Sequence, residues 1–245
     1  MVSAQGGKII NLTNSGYTNG SPRWVLDGNA ILFITERYGM RAHASWGSLN
    51  DVMLVFMNQD AYDKFRLSKE DYELQKELEK EQKNTTEAKK NDKKKGDNKE
   101  KSEEKKEEKV KDIVVELNNI EDRIVRLTPN SSDLGSAIIT KDGETLYYLS
   151  AFEGGYDLWK MNLRKKDTKL LHKMDAGWAN MEMDKDGKNL FLLGSNTMQK
   201  MGTDSESLKP ISYQAHVKMD LAAERDYMFN HVYKPVSYTH LRAHE

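Results

Sequence analysis

The chain has 245 residues, 37% of them hydrophobic and 31% charged, with a mean hydropathy of −0.81 and a formal net charge of −1. That length suits one large or two small domains, and the apolar share is too low for every residue to join a core. No run of 18 apolar residues occurs, cysteine is absent, and 38 basic residues nearly cancel 39 acidic ones. A membrane-spanning helix, disulfides and thiolate chemistry are therefore excluded, and neither nucleic acid nor a membrane is expected as a partner.

In chain order, Met1 to Ile10 lacks the basic and apolar succession of a signal peptide. Gly6 to Thr13 reads as a strand. Strand patterns follow at Arg23 to Leu26, Ala30 to Thr35 and Val52 to Met57. The pattern then breaks. Ser68 to Lys83 is built from helix formers behind a Ser68/Asp71 capping signal, and predicts a frayed helix. From Lys76 to Asp112 there are 14 Lys and 12 Asp or Glu in 37 residues, with no aromatic side chain. Such a run cannot bury enough apolar surface to offset the entropy of ordering, so a long charged, mostly disordered insertion is expected at about 68–112. Strands resume at Arg123 to Thr128, Ser136 to Thr140, Thr145 to Ser150, Tyr156 to Asn162 and Thr168 to His172. Four more are predicted at Trp178 to Met183, Asn189 to Gly194, Thr197 to Met201 and Leu208 to Ser212.

These strands repeat. Asp27-Gly28, Asp142-Gly143 and Asp186-Gly187 each precede, after two residues, an apolar run: Ile31 to Ile34, Leu146 to Leu149 and Leu190 to Leu193. Asp-Gly between strands marks a hairpin turn, because glycine accepts positive φ without a Cβ clash. Asp142 and Asp186 are 44 residues apart, and Asp27 and Asp142 are 115 apart, one repeat plus a 71-residue insertion. A 40–45-residue repeat of four short strands is a β-propeller blade pattern. An α/β fold would need amphipathic helices in gaps that are too short; another antiparallel sheet is the alternative. The fold class expected is all-β, a partial β-propeller of about three four-stranded blades with a C-terminal helix.

Ser150 to Trp159, Ser-Ala-Phe-Glu-Gly-Gly-Tyr-Asp-Leu-Trp, behind Asp142-Gly143 and Leu146-Tyr147-Tyr148, resembles the TolB-like propeller repeat. Ile34 to Ser48, followed by a Lys/Glu-rich insertion, resembles the second propeller of tricorn-type serine peptidases of the tail-specific protease superfamily. Ala223 to Tyr233 is similar to the helix that opens their catalytic region. The resemblance spans roughly residues 6 to 234. It implies a propeller that gates or channels peptides toward a serine nucleophile, with peptide substrates, no cofactor, a possible homo-oligomer and a cytoplasmic location, the periplasm being the alternative. It also implies that the catalytic serine and its partners fall outside this sequence, so no catalytic, metal or cofactor residue is assigned.

The division expected is a last strand of a preceding blade in 1–20, blades at 21–128, 129–172 and 173–214, a linker and first catalytic-region helix at 215–234, and a tail at 235–245. In the helix, Leu221, Met228, Phe229 and Val232 recur at helical spacing, and Pro235 is expected to stop it. Pro235 to Glu245 resembles a non-native tail and is set aside. Two readings rival the peptidase propeller: a TolB-like or WD40-like module that only binds protein or peptide, and a propeller hydrolase of the prolyl oligopeptidase type. Three blades alone would leave two faces that are built to be buried.

Other chemistry was weighed residue by residue. His240 and His244 have metal-ligand spacing on a helix, but the zinc-protease glutamate is misplaced. Asp184-Lys-Asp-Gly187 echoes a calcium loop without its later ligands, which favours a hairpin. Ser195 has no Gly-x-Ser-x-Gly elbow around it. His43, near Arg37, Arg41 and Trp46, is a candidate for facing substrate, with a packing role favoured. Trp24, Trp46, Trp159 and Trp178 are expected to pack between blades. Met174, Met181 and Met183 are expected to fill the core, and Gly154-Gly155 to form a hairpin because no helix follows. The charge run generates one prediction. Limited trypsin digestion should cut first within residues 83–111, and replacing them with a short Gly/Ser link should leave the strand content unchanged. Protection of those lysines, or loss of the sheets on deletion, would refute the reading of the insertion.

Overall fold

The computed structural model describes residues 1–40, 47–78, 81, 112–195 and 197–236. His43, Trp46, the insertion beyond residue 81, His240 and His244 thus lie outside the described residues. The chain divides into two units, Met1–Pro210 and Ile211–Glu245.

The first unit holds three four-stranded antiparallel sheets, each in simple chain order. Blade 1 is β1 (Asn19–Val25), β2 (Ala30–Thr35), β3 (Asp51–Phe56) and β4 (Ile124–Arg126). Blade 2 is β5 (Asp133–Ile139), β6 (Thr145–Ala151), β7 (Tyr156–Asn162) and β8 (Asp167–Ala176). Blade 3 is β9 (Ala179–Met183), β10 (Asn189–Gly194), β11 (Thr197–Gly202) and β12 (Leu208–Pro210). From Arg23 on, the predicted strands match within a few residues, the largest departures being β1, which begins at Asn19, and β8, which runs on to Ala176.

The Asp-Gly turns form as expected. In blade 2 the Gly143 N–H donates to Thr140 O at 2.9 Å, and in blade 3 the Gly187 N–H donates to Asp184 O at 3.0 Å. Gly28, Gly143 and Gly187 have φ of 85°, 72° and 74°. At Gly28 a Cβ would also stand 2.6 Å from the Ile113 side chain, so only glycine satisfies both the turn and that contact.

Alternation along the second strands decides the packing, since successive side chains point to opposite faces. Leu32 on β2, with Leu54 and Phe56 on β3, meets Leu146 and Tyr148 of β6 in one core cluster between blades 1 and 2. Tyr147 and Leu149 point the other way and meet Met181, Leu190, Leu192 and Met201 between blades 2 and 3. Phe33, Met53 and Val55, on the outer face of blade 1, are buried with Ile120, and Leu12 packs on them. Residues 6–13 therefore do not form the expected strand. Their backbone has no ladder partner, and the segment covers the face through Leu12 instead. The matching face of blade 3 stays open, with Phe191 37% and Leu193 43% exposed. Only one of the two faces expected to be bare is bare.

The insertion is rooted in structure that begins earlier than expected. Helix α1 (Gln59–Arg66) follows β3 directly, capped by Asn58, whose side chain accepts from Ala61 N–H at 2.9 Å. Tyr62 and Phe65 on its inner side pack on Phe56 at ring-centroid distances of 5.7 and 5.0 Å. A second helix, α2, spans 69–78; Ser68 Oγ accepts from Asp71 N–H at 3.1 Å, which is the predicted cap. The returning chain is tied to the departing one. Glu116 N–H donates to Met57 O at 2.8 Å, and the buried Arg123 guanidinium donates to the carbonyls of Phe56, Asn118 and Glu116.

The second unit contains helix α3 (Leu221–Val236). Asp220 Oδ1 accepts from the N–H groups of Ala222 and Ala223 at 3.1 Å each, capping it. Tyr227 stacks on His231 and Phe229 on Tyr233, one turn apart. The helix runs through Pro235 to Val236 instead of stopping before the proline.

Leu149 and Leu193 hold equivalent positions in adjacent blades, at 0% and 43% exposure. In urea unfolding, Leu149→Ala should cost about 2–5 kcal/mol, and Leu193→Ala no more than about 0.5 kcal/mol. Equal costs would mean that the open face of blade 3 is covered in solution.

Candidate functional site

Each blade begins with an edge strand, β1, β5 or β9, hydrogen-bonded to its own blade on one side only. Such a strand leaves a row of N–H and C=O groups free. The three edges lie together, with β5 directly against β9. Clefts at both ends of the row take their walls from all three strands. The one at the turn end has a volume of about 380 Å³ and is walled by Arg23, Trp24, Leu26, Ile138, Lys141 and Met183. The one at the other end, about 370 Å³, is walled by Ser21, Ile34, Ser136 and Asn180, and Arg23 borders both.

Arg23 links the row. Its guanidinium forks onto the Glu182 carboxylate at 2.9 and 3.2 Å, joining blade 1 to blade 3. Both side chains are largely solvated, so the pair contributes at most about 1 kcal/mol and can open. Beside it the Lys141 ammonium donates to the Lys185 carbonyl, joining two Asp-Gly turns. Ile138 and Met183 supply apolar wall, whereas the half-exposed Trp24 pairs with Ile31 and borders the outer face of blade 1 beside Leu12 and Phe33. The site therefore combines free main-chain edges, apolar wall and charges of both signs.

The residues singled out by sequence separate clearly. Asp184 accepts from the N–H groups of Lys188 and Asn189 and from the Asn189 amide. The Asn189 side-chain bond, with the backbone donors, holds its pKa below the ordinary value, and the carboxylate caps a hairpin. Ser195, at φ 42°, accepts from Gly177 N–H at 2.9 Å and closes a turn. Gly154 and Gly155 sit in the β6–β7 hairpin, where Gly155 N–H donates to Asp175. Met181 is buried between blades 2 and 3 with Met174 and Met183 at its margin, as expected. Only Trp159 of the described tryptophans packs against an interblade core, with Phe152 edge-on at 5.0 Å. Trp24 and Trp178 are 52% and 51% exposed, because Trp24 pairs with Ile31 at the outer face of blade 1 and Trp178 lies in the turn before β9. Of the three described histidines, His172 Nε2 lies 2.9 Å from Glu206 O, His231 stacks on Tyr227, and His216 is exposed. Among the described residues no nucleophile–base pair forms around them.

Two polar centres escaped the sequence reading. Asp51, fully buried, accepts from Arg126 at 2.8 Å, Thr128 at 2.8 Å and Ser131 at 2.7 Å. Glu206 accepts from Lys160 at 2.6 Å and Lys169 at 2.8 Å, fastening the last turn of blade 3 to the outer strands of blade 2. These partners lie 37 to 80 residues apart, and the only local sign was an acidic residue directly before the apolar run of β3.

No family description and no curated protein matches this chain. Among solved structures, it is similar to the tricorn protease, at 8% identity and a TM-score of 0.53 over 86% of this chain and 19% of that one. It is also similar to TolB from Acinetobacter baumannii, at 10% identity and 0.49 over 87% and 37%. A third is the β-propeller domain of the Trilobed protease from Pyrococcus furiosus, at 11% identity and 0.41 over 81% and 43%. The fold is that of β-propeller blades. At these identities the likeness concerns the fold alone. The chain spans less than half the length of each of these structures.

Hydrogen bonds first from Lys160 and then from Lys169 hold the Glu206 carboxyl below its ordinary pKa. A lowered carboxylate pKa adds stability above the unfolded-state value of about 4.3 and loses it as pH falls through the folded value. Glu206→Gln should therefore destabilise by about 1–2 kcal/mol at pH 7. The gap to wild type should shrink as pH drops below about 4. A gap that is constant with pH would mean the carboxylate is not held by these lysines.

Proposed function

We propose that this chain is a non-catalytic propeller portion of a tricorn-like serine peptidase, guiding peptides toward catalytic residues that lie outside this sequence. The observation that carries the reading is the row of three free strand edges, with a cleft at each end. An extended peptide can hydrogen-bond to such an edge through its main chain, while wall pockets read alternate side chains. The solvated Arg23–Glu182 pair suits a passage that must open, since its small net energy is easily exchanged for contacts with a peptide. The propeller architecture and the resemblances at Ile34 to Ser48 and Ala223 to Tyr233 support the peptidase context. The same edges would also serve a module that only binds peptides.

Two measurements test this. A fluorogenic peptide panel should show no turnover by the chain, and Ser195→Ala should behave identically. Turnover that disappears in Ser195→Ala would overturn the non-catalytic assignment. Labelled extended peptides should bind saturably by fluorescence anisotropy, with affinity reduced about fivefold or more by Arg23→Ala, the residue that borders both clefts. Unchanged affinity would remove the cleft from the pathway.

A further inference from the structure

A separate cleft of about 590 Å³ lies between the insertion root and blade 2, away from the strand-edge row. Its walls include four cationic residues, Arg66, Arg126, Arg164 and Lys166, and no Asp or Glu among the described residues. Phe65 and Leu163 supply apolar wall.

Among the described residues, only one of the four charges is neutralised by a carboxylate. Arg126 is held by the buried Asp51 at 2.8 Å. Arg164 is placed by the turn after β7, where Asn162 Oδ1 accepts from the N–H groups of Arg164 and Lys165. Its Nη1 donates to the carbonyls of Phe65 at 3.0 Å and Leu67 at 2.9 Å, and its guanidinium lies 3.8 Å from the centre of the Tyr72 ring. Its Nε is buried and has no hydrogen-bond partner. Arg66 lies 5.3 Å from the Tyr62 ring centre and reaches that hydroxyl at 3.4 Å. Lys166 stands exposed on the rim at φ 54°. The adjoining acid, Glu144, faces Lys76 at 3.8 Å. The amino end of α2 opens at Ser68, which also borders the cleft and donates to the Asp71 carboxylate at 2.8 Å, so that helix end is already capped.

Three converging cations with no ion-pair partner among the described residues, beside apolar surface that excludes water, favour a bound anion. A surplus of more than one positive charge matches a dianion better than a carboxylate. The volume exceeds that of a bare phosphate, and the apolar walls suit a hydrocarbon or aromatic body attached to it. We propose that this cleft binds a phosphate monoester on an apolar body, held by Arg66, Arg164 and Lys166. Whether the ester is a small molecule or a phosphorylated side chain, the group recognised is the same.

The test uses the full chain, phenyl phosphate as probe and isothermal titration calorimetry. Inorganic phosphate and benzoate serve as comparisons, and a phosphotyrosine pentapeptide distinguishes the two sources. Phenyl phosphate should bind more tightly than either comparison, and its affinity should fall below pH ~6 as the phosphate loses its second charge. Lys166→Asn, which suits the positive φ, and Arg66→Gln should each weaken binding about tenfold. Lys165→Gln removes the same charge one residue away, outside the cleft wall, and should change affinity less than twofold. Circular dichroism checks that each variant is folded. No saturation by about 10 mM, benzoate binding as tightly as phenyl phosphate, or an equal loss in Lys165→Gln would overturn the proposal.

Discussion

The structure depends on one constraint: the central strands of a blade are apolar on both faces, so each blade must be covered twice. All six residues of β3 are buried, and on β6 Leu146 and Tyr148 point to one neighbour while Tyr147 and Leu149 point to the other. A sheet of this kind has no solvent side. Its stability belongs to the interfaces, where close packing of large side chains outweighs the ordering entropy of short strands. The outer face of blade 1 is covered by Leu12 and Ile120, which are not part of any blade. Blade 3 alternates in the same way but with weaker coverage, and Phe191 and Leu193 are its open face.

Polar locks then fix how the blades meet. Asp51 has both carboxylate oxygens occupied, so its burial carries no unsatisfied charge. It ties the start of β3 to the end of β4 and to Ser131 in the crossing that leads to blade 2. Glu206 does the corresponding job between blades 2 and 3 by collecting two lysines. Arg164 reaches from blade 2 to the carboxyl end of α1 and takes up carbonyls that a helix end leaves without partners. Apolar alternation permits sliding between sheets, whereas these directional contacts do not.

Function attaches where this packing leaves backbone unpaired. The first strand of every blade donates to its own sheet on one side and is open on the other, and the repeat brings three such edges together. The charged residues around them pair weakly and in solvent, unlike Asp51. That contrast separates groups that hold the fold from groups free to exchange partners with a ligand.

The sequence by itself determined the strands and their turns. Period-two alternation and the Asp-Gly pairs are local properties, and the 44-residue recurrence of Asp142 and Asp186 disclosed the blade as the unit. The Ser68 cap was legible for the same reason: its donor and acceptor lie three residues apart. Tertiary structure alone decided which face of each strand meets which neighbour, and so that Leu149 is buried while Leu193 is exposed. It also decided that Gly6 to Thr13 lacks a strand partner, and that Trp24 lies half-exposed at the outer face of blade 1 instead of in an interblade core. The Glu206 lock and the Arg164 cap join residues 37 to 100 positions apart, brought close only by stacking of the sheets. Local periodicity states that a side chain will be buried or exposed on one side of a strand; what lies on that side is a property of the assembled blades.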